Sequence, residues 1–435
     1  MVLAPTVKKA YNSASLVNKY ISFMKRSILC AISLLLFGSA LSVYANPAGV
    51  PAIKHAELAP KVLTLDLTGD TNDIWDRMQR GFGIPDLDNE MVRQQEAFYL
   101  KNPRLLAEIF NRGGQYLHYI VSELERRHMP TEIALLPMVE SNYNPLAYSK
   151  SHAAGLWQFI PSTGKYYKLT QNTWIDERRD IIASTHAALN YLATIYELHG
   201  DWQLTLASYN WGEGAVQRAV RKNLKEGQPG EYSHLDMPFE TRKYIPKLQA
   251  LKNIISHPER YGFVLPHVEN ERRFVAVHVP GGVDLALAAK LAETPLEDFI
   301  ALNPSFKRPV ITAPGRELIV PAERAEGFVE ALSNLPSGSR NWKKYTLQRG
   351  ESLQTVAARH KLTVNQLKQL NGLHKQKKIP PGIVLLVPDG INPAGALAAA
   401  RLLNSTDAPQ SSKTSAAAAA NRNTTTALLA GRRES

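Results

Sequence analysis

The chain has 435 residues, 44% of them hydrophobic and 21% charged, with a formal net charge of +12. That composition excludes a disordered chain and leaves room for roughly two to four packed domains. A single cysteine, Cys30, excludes a disulfide scaffold, and no Cys/His cluster suggests a metal centre, so packing alone must hold the domains.

Residues 24–45 read MKRSILCAISLLLFGSALSVYA, with Lys25 and Arg26 ahead of an apolar run and Val43-Tyr44-Ala45 as a small-x-small cleavage site. This pattern predicts a secretory signal peptide within residues 1–45, with Met24 as a plausible start; the apolar run is short for a membrane anchor. Cys30 opens the apolar run and follows Leu29, which does not suit a lipoprotein. Five of the 51 basic residues and none of the acidic ones lie in 1–45, so +12 falls to +7 once they are removed. The remaining charge favours an anionic surface as partner, and the export address argues against nucleic acid.

Residues 46–90 form a lead-in with few patterns. From 91 to 265 the chain predicts a mainly helical domain. Between Pro103 and Met129, Leu106, Ile109, Phe110, Leu117, Ile120, Val121 and Leu124 recur at steps of three and four, giving one apolar face. Pro130 and Thr131 open a helix that ends near Glu140. Further helices are expected over 181–199, stopped by Gly200, and over 203–211, 213–224 and 241–256. The long 145–180 loop, rich in Ser, Gly, Tyr and Trp, reads as functional rather than as a connector.

After Pro266 two segments match each other 68 positions apart, VHVPGGVDLALAAKLAETPLEDFIALNP from Val277 and YTLQRGESLQTVAARHKLTVNQLKQLNG from Tyr345. Gly282 pairs with Gly350, Phe299 with Leu367 and Asn303 with Asn371, and each copy ends in a short strand, RELIVP or GIVLLVP. A duplicated α+β module is expected, in the order strand, helix, helix, strand (βααβ), over 275–322 and 343–389, with Asp284 and Ser352 as helix N-caps. The Ala-, Ser-, Thr- and Asn-rich residues 390–435 are expected to be a disordered tail.

Chemistry centres on Glu140, the one carboxylate at the end of the apolar run IALLPMV. Apolar neighbours and the negative end of a helix both raise a carboxyl pKa, and a protonated carboxyl can donate to a glycosidic oxygen. From this stretch alone, a surface Glu at a helix end reads better than a catalytic one. Three further motifs change that balance: GLWQF at 155–159, ASYNWG at 207–212 and ETRKYI at 240–245, the last placing Glu240 and Tyr244 on one helix face. Their rings, amides and hydroxyls suit a sugar groove.

In order and spacing these motifs, with ES at 140–141, resemble those of the lytic transglycosylase family, which has a goose-lysozyme-like fold; the resemblance covers roughly 70–265. It implies non-hydrolytic cleavage of peptidoglycan glycan strands between N-acetylmuramic acid and N-acetylglucosamine, without cofactor or metal, leaving 1,6-anhydromuramic ends. It implies Glu140 as the catalytic acid and base, and Ser141, Ser149, Gln158, Tyr209, Asn210, Glu240 and Tyr244 along the groove. Glu240, beside Thr241 and Arg242, reads as a paired ion rather than a second catalytic acid.

The repeats resemble LysM modules, which bind N-acetylglucosamine polymers. The second matches well; the first departs in its loops, which leaves sugar binding and a purely structural role both open. The very basic second copy suits attraction to an anionic wall. A periplasmic protein, associated with the envelope or peripherally with its membrane, is the expected setting. A goose-type hydrolase and a non-enzymatic wall-binding protein are the alternatives.

Overall fold

The computed structural model describes residues 72–406. The expected signal peptide and the end of the tail lie outside the described residues. No helix among those described is long and apolar enough to cross a membrane.

Among the described residues ten α-helices build the first part: α1 (Ile74–Arg80), α2 (Glu90–Lys101), α3 (Pro103–Gly113), α4 (Leu117–Arg126), α5 (Leu136–Ser141), α6 (Pro161–Tyr166), α7 (Ile181–His199), α8 (Trp202–Trp211), α9 (Glu213–Lys225) and α10 (Phe239–Ser256). The apolar stripe of 103–129 is divided between α3 and α4, which meet at Gly113-Gly114. Its residues Leu106, Ile109, Phe110, Leu117, Ile120, Val121 and Leu124 are all buried, as that spacing requires. The lead-in is not featureless: Ile74, Trp75 and Met78 of α1 enter the same core. A seven-residue helix is too short to register as a periodic pattern.

One expectation needs correction. The helix carrying Glu140 does not begin at Pro130. Residues Thr131–Leu135 form a 3-10 turn and the α-helix starts at Leu136. Pro137 lacks an N–H and is best accommodated in the first turn of an α-helix, which suits its place as the second residue of α5. The 3-10 turn is anchored by Glu132, which is fully buried. Its carboxylate accepts from the backbone N–H of Gly83 (2.9 Å) and Ile84 (2.6 Å) and faces the Lys252 ammonium at 3.3 Å. Lys252 in turn donates to the Ile84 carbonyl and pairs with Asp86, both at 2.8 Å. A buried charge held this way is satisfied, and it ties α10 to the turn beneath Glu140.

Helix α7 is capped as its sequence suggests. Asp180 accepts from the N–H groups of Ile182 and Ala183, and Gly200 closes the far end in the left-handed region at φ +63°.

The second part contains β1 (Phe274–Val279), β2 (Val283–Asp284), α11 (Leu285–Leu291), α12 (Leu296–Leu302), β3 (Val310–Ile311), β4 (Arg316–Pro321), α13 (Ala325–Ser333), β5 (Trp342–Thr346), α14 (Leu353–Arg359), α15 (Val364–Leu370), β6 (Val384–Pro388) and α16 (Ala394–Thr406). β1 pairs antiparallel with β4, in register Phe274↔Pro321, and β5 with β6, in register Trp342↔Pro388. β2 pairs with β3. Asp284 and Ser352 cap their helices, accepting from Leu287 and Thr355.

The internal repeat is carried down to single hydrogen bonds. Buried Asn303 accepts from the Ile319 N–H and donates to the carbonyls of Phe299 and Ile319, at 2.8–2.9 Å. Asn371 does the same with Leu386 and Leu367, at 2.6–3.0 Å. Each amide stitches the second helix of its module to the closing strand. Asn371→Ala would strand a buried strand N–H and C=O, so about 2–3 kcal/mol of module stability should be lost. Hydrogen exchange at the Leu386 amide measures it, and Asn303→Ala should act alike at Ile319.

Two boundaries differ from expectation. The first module continues past 322, because α13 lays fully buried Phe328 into its core. Residues 394–406 are not a disordered tail. They form α16, with Ala399 and Leu403 in the core of the first module and Ala396 and Leu397 in that of the second. The alanines that suggested low complexity are the residues that let a helix approach both modules closely.

Candidate active site

Glu140 lies at the penultimate position of α5, and the chain leaves that helix through two residues in the left-handed region, Asn142 (φ +51°) and Tyr143 (φ +56°). Tyr143 is fully buried. Its hydroxyl donates to the Ala134 carbonyl at 2.6 Å and its ring stacks on Tyr116. Ser141 donates to the carbonyls of Pro137 (3.0 Å) and Leu156 (2.9 Å). Glu140 is therefore held from both sides by its own neighbours.

Its carboxyl is half-buried and accepts a 2.5 Å hydrogen bond from the Tyr244 hydroxyl of α10. Burial pushes its pKa up to about 7; the Tyr244 bond and the Lys247 charge oppose that, and Glu240 adds to it. Tyr209, on α8, donates its hydroxyl to the Trp157 carbonyl at 2.8 Å. Burial and the nearby Glu140 charge raise both phenols, Tyr209 and Tyr244, well above the ordinary value, so both remain donors.

The GLWQF segment closes over this group. Gly155 sits at φ +85°, and a Cβ there would lie 1.8 Å from the Arg178 carbonyl oxygen. Trp157 is fully buried, with its indole N–H on Thr185 of α7 at 3.0 Å. Gln158 takes φ +49° and folds its amide back on the Gly155 carbonyl at 2.9 Å. Ser149 accepts from the Ala153 N–H at 3.0 Å and closes the turn before it. Among the described residues neither Ser149 nor Gln158 hydrogen-bonds Glu140. Asn210 is exposed and accepts from Thr241 at 2.9 Å. Glu240 is exposed and pairs with Lys247 at 2.8 Å, two turns along α10; Arg242 lies over the Phe239 ring.

The predicted residues thus fall into two sets. Glu140 is coupled electrostatically to Tyr244, Tyr209 and Glu240, while Ser141, Ser149 and Gln158 fix the loops around it and Asn210 ties α8 to α10.

The sequence reading missed a run of tyrosines. From Tyr209, ring centroids step 5.5 Å to Tyr191, 5.3 Å to Tyr167 and 5.1 Å to Tyr166. The last three line a cavity of about 390 Å³ with Thr194, Leu198 and Glu213, and Tyr191 donates to Glu213 at 2.8 Å. A run of rings along an open cavity suits the apolar faces of a sugar chain. The sequence signal lay in the Tyr166-Tyr167 pair, inside the loop already read as functional.

Comparison with known proteins shows the family and the domains. The family description "Transglycosylase SLT domain" matches residues 119–229, "Lytic transglycosylase MltD, LysM-like domain" matches 273–337 and "LysM domain" matches 345–388. Over 342 residues the chain is 35% identical to membrane-bound lytic murein transglycosylase D of Escherichia coli K12, covering 75% of this chain and 73% of that protein. The protein of the same name in Escherichia coli O6:H1 matches to the same extent. A protein of Alteromonas sp. (strain M-1), named for tributyltin chloride resistance, is 44% identical over 119 residues, covering 27% of this chain and 58% of that protein.

Proposed function

The chain belongs to the family of membrane-bound lytic murein transglycosylase D, and we propose that Glu140 is the single acid and base of its non-hydrolytic peptidoglycan cleavage. The observation that carries this reading is a half-buried carboxyl lifted to about 7, fixed by Tyr244, while Glu240, the carboxylate whose charge acts on it, is exposed and ion-paired.

Near neutral pH a carboxyl with that pKa is still substantially protonated, and it can give its proton to the oxygen leaving C1 of N-acetylmuramic acid. The resulting carboxylate then takes the proton of the C6 hydroxyl on the same sugar. That oxygen bonds to C1, so the released chain ends in a 1,6-anhydro ring and Glu140 is protonated again. The attacking group is part of the substrate, which raises its effective concentration, so neither a water nor a second carboxylate is required. Tyr244 orients the carboxyl. Tyr209, Gln158, Asn210 and Ser141 shape the groove, Ser149 steadies the N-acetyl group, and the tyrosine-lined cavity extends the groove outward. Glu240 tunes Glu140 through its charge.

The LysM match supports carbohydrate binding, and N-acetylglucosamine is the proposed ligand of the second module. Residues 24–45 support export, and the family to which the chain belongs supports the periplasm as its destination. The helical catalytic part and the two modules are proposed as the working domains.

Two measurements test the reading. Mass spectrometry of digested sacculi should give anhydromuramic ends; reducing muramic ends would instead support hydrolysis with Glu240 as second acid. The profile of kcat/KM against pH should fall on the alkaline side with an apparent pKa near 7, as Glu140 loses the proton it must donate. Tyr244→Phe removes a hydrogen bond that favours the carboxylate, so this limb should move to higher pH while kcat drops about tenfold from lost orientation. An alkaline limb unmoved by Tyr244→Phe would separate it from Glu140.

A further inference from the structure

The first module departs from its repeat in the loops, yet it is docked closely on the catalytic part. Phe274 and Ile319 of the module enter the catalytic core, and the polar part of the contact falls on residues 172–180. The Asp176 N–H donates to the Ser305 carbonyl at 2.8 Å, and the Lys307 N–H donates to the Trp174 carbonyl at 2.9 Å. Ser305, nearly fully buried, donates to the Asp180 carboxylate at 3.2 Å. Glu177 forms an ion pair with Arg316 of β4.

The same nine residues reach the active site from their other side. Asp176 grips the guanidinium of buried Arg178 through both carboxylate oxygens, at 2.9 and 2.7 Å. The fork of Arg178 donates to the carbonyls of His152 (2.6 Å) and Phe159 (3.2 Å), the two ends of the GLWQF loop. The Arg178 carbonyl fills the space where Gly155 lacks a side chain. Between those ends, the Leu156 and Trp157 carbonyls bind Ser141 and Tyr209, beside Glu140. Asp180 also caps α7, which carries the Thr185 partner of Trp157.

We propose that the first module serves as a clamp on the catalytic loop, holding residues 152–159 over Glu140 through segment 172–180, with Arg178 as the positioning residue. The clamp rests on the reading of Glu140 as acid and base only for its effect on rate; the geometry stands apart from it. A planar, always-charged guanidinium that donates to two carbonyls while held by a carboxylate fixes a loop end in a way a lysine cannot. The module then contributes to the reaction without holding sugar.

The test uses the full chain carrying Ser305→Ala with Arg316→Ala, acting on soluble, uncrosslinked glycan strands for which anchoring to a wall is irrelevant. Amide exchange over 152–160 should quicken at least tenfold while the buried amides of 248–255 stay unchanged. The rate kcat should fall about tenfold with KM altered less, since the loop positions the reacting group more than it binds the chain. Arg178→Lys should reproduce both effects more strongly. Lys290→Ala, exposed on α11 of the first module and away from the junction residues, should change neither. If the double variant folds poorly, Glu177→Gln loosens the same junction more gently. Wild-type exchange over 152–160 in the junction variants overturns the clamp. Activity retained by Glu140→Gln would overturn the acid–base reading and leave the exchange result standing.

Discussion

Glu140→Gln should lower kcat at least a thousandfold while raising the stability of the protein at alkaline pH. The first effect follows from removing the only proton carrier the proposed reaction uses. The second follows from linkage. In the unfolded chain the group titrates near its ordinary value of 4.5, and in the folded protein near 7. Between those values the folded state holds a proton that the unfolded state has released, so stability falls as pH rises through that window. Above it the folded protein carries a charge its surroundings disfavour. Glutamine removes that cost. The variant should gain on the order of 1–3 kcal/mol at pH 8 and almost nothing at pH 4, a range that allows for the exposed edge of the carboxyl. Thermal unfolding of both proteins at the two pH values measures the difference. Equal stability at pH 8 would mean that the carboxyl is not held in a hostile site.

Gly155→Ala should be the most damaging single methyl group in the catalytic part. The new Cβ would lie 1.8 Å from a backbone carbonyl oxygen, on a residue at φ +85°. Neither the Arg178 peptide nor the glycine can yield without opening the loop. A loss of about 3 kcal/mol or more, with activity down at least a hundredfold, is expected from denaturant unfolding and glycan cleavage. Gly200→Ala is the matched control. It is also left-handed, at φ +63°, but nothing lies within 4 Å of its Cβ. It should cost about 1 kcal/mol and leave kcat unchanged.

Much of this arrangement was legible before any coordinates. Helix α7 ends at the glycine its pattern indicates, and the repeat is read correctly down to the paired Asn303 and Asn371, because local rules govern both. Glu140 stood out because an apolar run ended in a charge. What escaped notice depends on distant parts of the chain meeting. The hydrogen bond between Tyr244 and Glu140 joins residues 104 positions apart. The tyrosine run takes one ring each from α6, the turn after it, α7 and α8, and no linear spacing announces it. Lys247 emerged as the partner of Glu240 only once α10 had fixed both. Helix α16 failed on composition: its alanines look the same whether they face solvent or fill the seam between two modules.

That last helix has a consequence for the lifetime of the protein. One short connection, residues 389–393, leads from β6 into α16, and Pro388 and Pro393 bracket it. A single proteolytic nick there would cut the tether of α16, which with β3 (Val310 and Ile311) is shared by both module cores, and loosen Ala399 and Leu403 on one side and Ala396 and Leu397 on the other. Both modules would be weakened together, through one peptide bond.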